Sequence, residues 1–189
     1  MLKSLAAFAA LSVLGAAGPA LAQSTMSGSM SAQEPMVGGA AMYRSKNIVQ
    51  NAMNSKDHTT LVSLVKKAGL VSTLEGPGPF TVFAPTNEAF AGLPQATVSK
   101  VSGDAALLKK VLTYHVVAGR LTTSDIASKI QAGGGKAMLT TVEGDTITAT
   151  MDGSKIMLTG AGGGTATITI ANVAQSNGEI QVIDGVLMP

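Results

Sequence analysis

The stretch Phe80-Thr-Val-Phe-Ala-Pro-Thr-Asn-Glu-Ala-Phe90 limits the fold more than any other part of the chain. It opens as an alternating run, with Phe80, Val82 and Ala84 on one side and Thr81 and Phe83 on the other, the period of a strand. Pro85 has no N–H to donate, so the ladder must stop there. Thr86 then stands where a helix N-cap is needed, and Ala89 and Phe90 begin an apolar helical stripe. Eleven residues therefore predict a buried strand, a fixed corner and a helix start. The chain has 4 phenylalanines and three of them lie here, so the stretch is expected at the centre of the core.

The chain has 189 residues, enough for one domain. Residues 1–22 read as a secretory signal peptide. Lys3 gives a positive start, and Leu5 to Ala17 is apolar but shorter than the roughly 20 residues a spanning helix needs. Pro19 breaks the run, and Ala20-Leu21-Ala22 has the small-x-small pattern of a cleavage site, which puts Gln23 at the mature N-terminus. The expected location is periplasmic or extracellular. No later stretch is long and apolar enough to span a membrane, so no span is expected in the mature chain.

Cysteine is absent, so an exported chain of this kind must be stable through its core alone, and no lipobox thiol is present for acylation. Export without disulfides points to a bacterial source. Without Lys3 there remain 12 basic and 11 acidic side chains, with no run of like charge longer than two. Nucleic acid binding needs a basic stripe with stacking aromatics, and neither is present. With aromatics at 3%, a sugar platform or aromatic cage has too few rings.

Residues 23–44, rich in Ser, Gly, Ala and Met, show no period and read as a flexible leader. Met26, Met30, Met36 and Met42 invite a copper(I) reading, since thioethers are soft ligands. Their spacing is irregular and no His or Cys assists. The expectation is a tether, with Met36 and Met42 packing onto the domain and no cofactor bound.

From Ser45 a short helix with Ile48, Val49, Ala52 and Met53 on one face is predicted, capped by Ser45. A second helix, capped by Asp57, carries Leu61, Leu64, Val65 and Ala68 and ends at Gly69. His58 lies in its first turn and is expected to be solvated. Asp104 caps a third long helix running to His115, and Thr122 or Thr123 caps another through Ile126 and Ile130. After Gly133-Gly-Gly135 the chain turns to strands: Ala137–Val142, Asp145–Met151, Ser154–Thr159, Thr165–Ala171 and Glu179–Leu187. Turn signals separate them, among them Asn177-Gly178. A threonine face on these strands reads as exposed sheet rather than as an ice-binding array.

Three blocks stand together: Thr81–Phe90, Tyr114-His-Val-Val-Ala-Gly119, and Asn177-Gly-Glu-Ile-Gln-Val-Ile-Asp-Gly-Val-Leu-Met-Pro189. In this order and spacing they resemble the first homology block, the Tyr-His motif and the second homology block of the fasciclin (FAS1) domain, over residues 45–189. The resemblance implies an α+β class and a FAS1 fold, a twisted β-sandwich or wedge with several helices packed along one side. It implies that the two blocks meet in the core, and that Thr86, Asn87, Tyr114, His115 and Asp184 serve the scaffold. It implies adhesion or surface association through a protein, matrix or cell-surface partner. Asp125-Ile126 falls near an Asp-Ile element tied to integrin binding in animal members. The flanking residues differ, so these two are adhesion candidates only by position.

Enzymatic chemistry has little to stand on. There are two histidines, no Gly-x-Ser-x-Gly elbow, and too few ligands for zinc. His115 is expected to be a half-buried ring donating to a backbone carbonyl. Asp184, on an apolar strand, is expected to tie that strand to the helix start at Thr86 and Asn87. Two functions follow: an exported, non-enzymatic adhesion module, or a carrier of a small apolar ligand (pigment or lipid) in a cleft between helices and sheet.

Overall fold

The structure, a computed structural model, describes residues 34–189. The expected signal peptide and the leader up to residue 33 lie outside the described residues. In chain order the elements are β1 (Met36–Val37), β2 (Ala40–Ala41), α1 (Ile48–Asn54), a 3-10 turn (Lys56–His58), α2 (Thr59–Lys67), α3 (Val71–Leu74), β3 (Phe80–Pro85), α4 (Asn87–Ala91), α5 (Gln95–Gly103), α6 (Ala105–Tyr114), β4 (Val116–Ala118), α7 (Thr123–Ala132), β5 (Lys136–Thr140), β6 (Thr146–Asp152), β7 (Lys155–Thr159), β8 (Thr165–Gln175) and β9 (Gly178–Ile183).

Seven strands form one sheet in the order β4-β3-β9-β8-β7-β6-β5. Most neighbours are antiparallel; β3 and β9 are parallel, in register from Phe80↔Gly178 to Pro85↔Ile183. The two homology blocks thus lie side by side, and Pro85 closes the ladder. The sheet curls until its ends almost meet. Val117 bridges Thr141, and the Val142 N–H donates to the Val116 carbonyl at 2.7 Å. A bulged stretch of β8 between Ile168 and Val173 supplies part of the bend.

The alternation in β3 divides two cores. Val82 and Ala84 face helices α1 to α6, together with Ile180, Val182 and Leu108. Phe83 faces the inside of the curled sheet, together with Ile147, Leu158 and Ile183, and α7 caps this second core with Ile126 and Ile130. So α1 to α6 line one side as expected, while α7 plugs the other.

Local differences from the sequence expectation have clear causes. Within the expected leader the β1–β2 hairpin packs onto the domain: Val37 and Met42 are 2% and 1% exposed, although Met36, expected to pack as well, stays 59% exposed. A Cβ on Gly38 would stand 2.4 Å from Ser55 Oγ, so only glycine lets the hairpin dock this closely. Asn47, not Ser45, caps α1, through a capping box with Gln50. His58 is buried at 2% exposure, because the 3-10 turn rolls it inward.

Candidate functional site

The recognisable blocks converge at the join between β3, β9 and the end of α6. Asp104 caps α6 by accepting from the Ala106 and Leu107 N–H groups, and Leu108, Val111 and Leu112 bury its inner face. This fixes the helix end that carries Tyr114 and His115, which are 0% and 3% exposed. The Tyr114 hydroxyl donates to the Thr146 carbonyl at 2.8 Å and accepts from the Ala161 N–H at 2.8 Å. His115 Nδ1–H donates to the Val111 carbonyl at 2.7 Å, and Nε2 accepts from the Leu187 N–H at 3.0 Å. Both ring nitrogens are therefore used, in the neutral Nδ1–H tautomer. Burial lowers the His115 pKa to about 4, against the raising effect of the Val111 bond.

Thr86 caps α4, accepting from the Ala89 N–H at 3.3 Å. Asn87 reaches away from its own helix. Its Oδ1 accepts from the Thr60 N–H at 3.0 Å and the Thr59 hydroxyl at 3.3 Å, while its Nδ2 donates to the Lys56 carbonyl at 2.8 Å. It thereby supplies the N-terminal cap that α2 lacks locally. Asp184 is exposed and does not meet Thr86 or Asn87. Its Oδ1 accepts from the Thr167 N–H at 2.6 Å, and its N–H donates to the Thr167 carbonyl at 3.2 Å. The side chain points across to β8 because it sits one residue beyond the inward-facing Ile183.

Asp125 and Ile126 part company. Asp125 is exposed and completes a capping box with Thr122, whose N–H and hydroxyl donate to it at 2.9 and 2.7 Å. Those bonds, the backbone one first, hold its carboxyl below the usual range. Ile126 is 0% exposed inside the second core.

Polar residues that the sequence did not single out tie the same region together. Asn177 Oδ1 accepts from the Ile48 N–H at the start of α1, and its Nδ2 donates to the Leu74 carbonyl at 2.7 Å at the end of α3. Gln181 donates to the Leu121 carbonyl and accepts from the Asn172 N–H, both at 3.0 Å. Glu179, at 2% exposure, accepts from Gln181; burial raises its pKa, partly offset by Arg120. A polar alternation on β9 (Glu179, Gln181) was the available signal, but their partners come from residues far apart in the chain.

Between α1, α2 and the sheet runs an apolar cleft lined by Leu61, Val65, Val71, Phe80 and Val82, with Lys66 also contributing. Its cavity volume is about 50 Å³. Among the described residues no group of three or more His, Cys, Asp or Glu is placed to hold a metal ion, and no helix is long and apolar enough to cross a membrane.

The sequence matches the family model described as Fasciclin domain over residues 56–189. It is 37% identical over 185 residues to protein sll1483 of Synechocystis sp., covering 97% of this chain and 94% of that protein. It is 34% identical over 158 residues to the cell surface glycolipoprotein MPB83 of Mycobacterium bovis, covering 84% of this chain and 62% of that one, so the match leaves over a third of that relative unspanned. Among solved structures, a FAS1 domain pair from the insect cell adhesion molecule fasciclin I is similar, with a TM-score of 0.55 and 25% identity over 68% of this chain and 44% of that one.

Proposed function

This chain belongs to the fasciclin domain family, and on that premise we propose that it is an exported, non-enzymatic adhesion and interaction module acting at a cell surface or in a surrounding matrix. One observation carries the reading: the polar groups of the motif blocks are consumed inside the fold. The Tyr114 hydroxyl both donates and accepts within the fold, both His115 ring nitrogens are engaged, and Asn87 caps α2. A catalytic pair needs free groups within reach of one another. The partner is then met by exposed residues on the loops and helix ends. Asp125 is the candidate that the fold leaves in solvent, and Ile126 supports it from below. The relatives named as a cell surface glycolipoprotein and a cell adhesion molecule agree with this place of action.

The test is cross-linking of the purified chain to intact cells of its native host, followed by identification of the captured species. Capture of a defined surface component, weakened in Asp125→Ala, supports the proposal. Capture of nothing above a control protein of similar charge overturns it.

The carrier reading draws on the apolar cleft. A ligand site of ordinary size occupies roughly 300 Å³ or more, so a cavity of about 50 Å³ must open before a pigment or lipid enters. Protein isolated from its native host separates the two readings. A visible band or an extractable lipid that co-elutes with it favours the carrier.

A further inference from the structure

We propose that the apolar cleft under α2 holds the hydrocarbon chain of an amphiphile with one anionic head group, and that Lys66 meets this head at the rim. The inference rests on the carrier reading of the cleft and names its ligand class. Leu61 and Val65 of α2 form one wall, and Phe80 and Val82 of β3 form the floor. Such walls offer no partner to the polar groups of a sugar or nucleotide, which would lose their water without replacement. They suit methylene groups, each worth about fourfold in affinity once buried. A single alkyl chain also needs the least opening of a cavity of about 50 Å³, less than a ring system or a two-chain lipid.

The charge pattern of the rim selects the head. Lys66 is the one charged residue that lines the cleft, and it is exposed. Its methylene stem lies against the wall and its ammonium stays in water, as lysines do at the border of apolar surface. A lysine in the last turn of a helix often serves the helix end. Here the backbone closes that end: the Ala68, Gly69 and Leu70 N–H groups donate to the Leu64, Lys66 and Val65 carbonyls at 2.9, 3.1 and 3.1 Å.

Other lysines nearby in sequence or on α6 are committed. Lys67 Nζ donates to the Ser102 carbonyl, and Lys110 pairs with Asp145 at 3.5 Å. Among the described residues Lys66 makes no ion pair. The remaining polar groups of the lining do not compete for a head group. Both His115 nitrogens are bonded within the fold. Thr113 donates its hydroxyl to Glu143 at 2.6 Å, so that part of the rim repels an anion and leaves Lys66 to attract it.

The test is calorimetric titration of the whole chain with tetradecanoate below its micelle concentration, and with the uncharged monoglyceride of the same acid. Methyl NMR places the site. The expected result is one tetradecanoate bound, more tightly than the monoglyceride, with affinity falling about fourfold for each methylene removed. Lys66→Gln should weaken tetradecanoate roughly fivefold and leave the monoglyceride unchanged. Methyl signals of Leu61, Val65 and Val82 should shift, and those of Ile147 and Leu158 in the second core should not. Lys66 is exposed, so the variant keeps the fold, and a thermal melt checks this. Equal binding of both probes, unaltered in folded Lys66→Gln, overturns the anionic class and leaves the carrier reading standing. Shifts centred on Ile147 and Leu158, or uptake that never saturates, overturn the site. Binding of neither probe overturns this proposal and the carrier reading together.

Discussion

Tyr114 and His115 are adjacent in the chain and anchor different segments: the Tyr114 hydroxyl joins the residues at Thr146 and Ala161, and the His115 ring joins α6 to Leu187. Two side chains at one helix end thus fasten the start of β6, the β7–β8 connection and the C-terminal segment.

Removing the Tyr114 hydroxyl tests the first anchor. Tyr114→Phe leaves a buried N–H and a buried carbonyl without their partner. The expected loss is about 1–3 kcal/mol, a fall in Tm of roughly 2–4 °C per kcal/mol for a domain of this size. Calorimetry measures it, and an unchanged Tm rules the anchor out.

His115 makes the domain sensitive to acid. Its folded pKa is about 4 against 6.5 in the unfolded chain, so below pH 6.5 the unfolded state binds the extra proton. Stability should be level above that pH, fall as the pH drops through the window, and level again below about 4. The total loss is at most about 3 kcal/mol. His58 is shifted down too, chiefly by burial, and acts in the same direction. Melts of His115→Gln from pH 7.5 to 4 should show a shallower decline than the parent; an identical decline would place the sensitivity elsewhere.

Asn87 links α4 to the start of α2. Asn87→Ala should cost about 1–2 kcal/mol, the usual effect of losing a cap. The Thr60 amide should exchange hydrogen faster, while the Phe83 amide on β3 keeps its protection. Equal acceleration at both sites would mean global loosening and not a lost cap.

For Asp184→Ala the expected change is smaller, about 1 kcal/mol, since the bond to the Thr167 N–H is exposed to water. Tm should fall by a few degrees. A melt indistinguishable from the parent would assign Asp184 no structural part.

Gly178 is required for a reason other than turn formation. The two turn residues are Ser176 and Asn177, and Gly178 already belongs to β9. A Cβ there would stand 2.1 Å from the Phe80 carbonyl oxygen. Gly178→Ala should therefore disrupt the parallel β3–β9 pairing and cost about 3 kcal/mol or more, read from chemical denaturation. A loss below 1 kcal/mol would show that the strands separate easily.

Much of this fold is legible in the sequence because its rules are local. The alternation of Phe80–Ala84, the stop at Pro85, the Thr86 and Asp104 caps and the five strand periods after Gly135 each depend on neighbours within a few residues, and each element forms where expected. The Ser45 cap fails on the same scale, since Asn47 with Gln50 makes a complete capping box and a lone Ser45 does not. Asp184 and His58 fail for a different reason. A strand residue's partner and a turn residue's burial depend on which distant segment arrives beside them, and no local pattern states that.

The Phe80–Phe90 stretch, with Tyr114-His115 and Asn177–Pro189, determined by itself the family, the α+β class and the position of the core. Periodicity and capping are short-range and survive in a linear text. Tertiary structure alone decided that Asn87 caps a helix 27 residues earlier, that Ile126 is buried while Asp125 is not, and that Met42 and His58 share one cavity. Those outcomes follow from a parallel strand pair, a curled sheet and a docked hairpin, which bring remote side chains together only once the whole chain has folded.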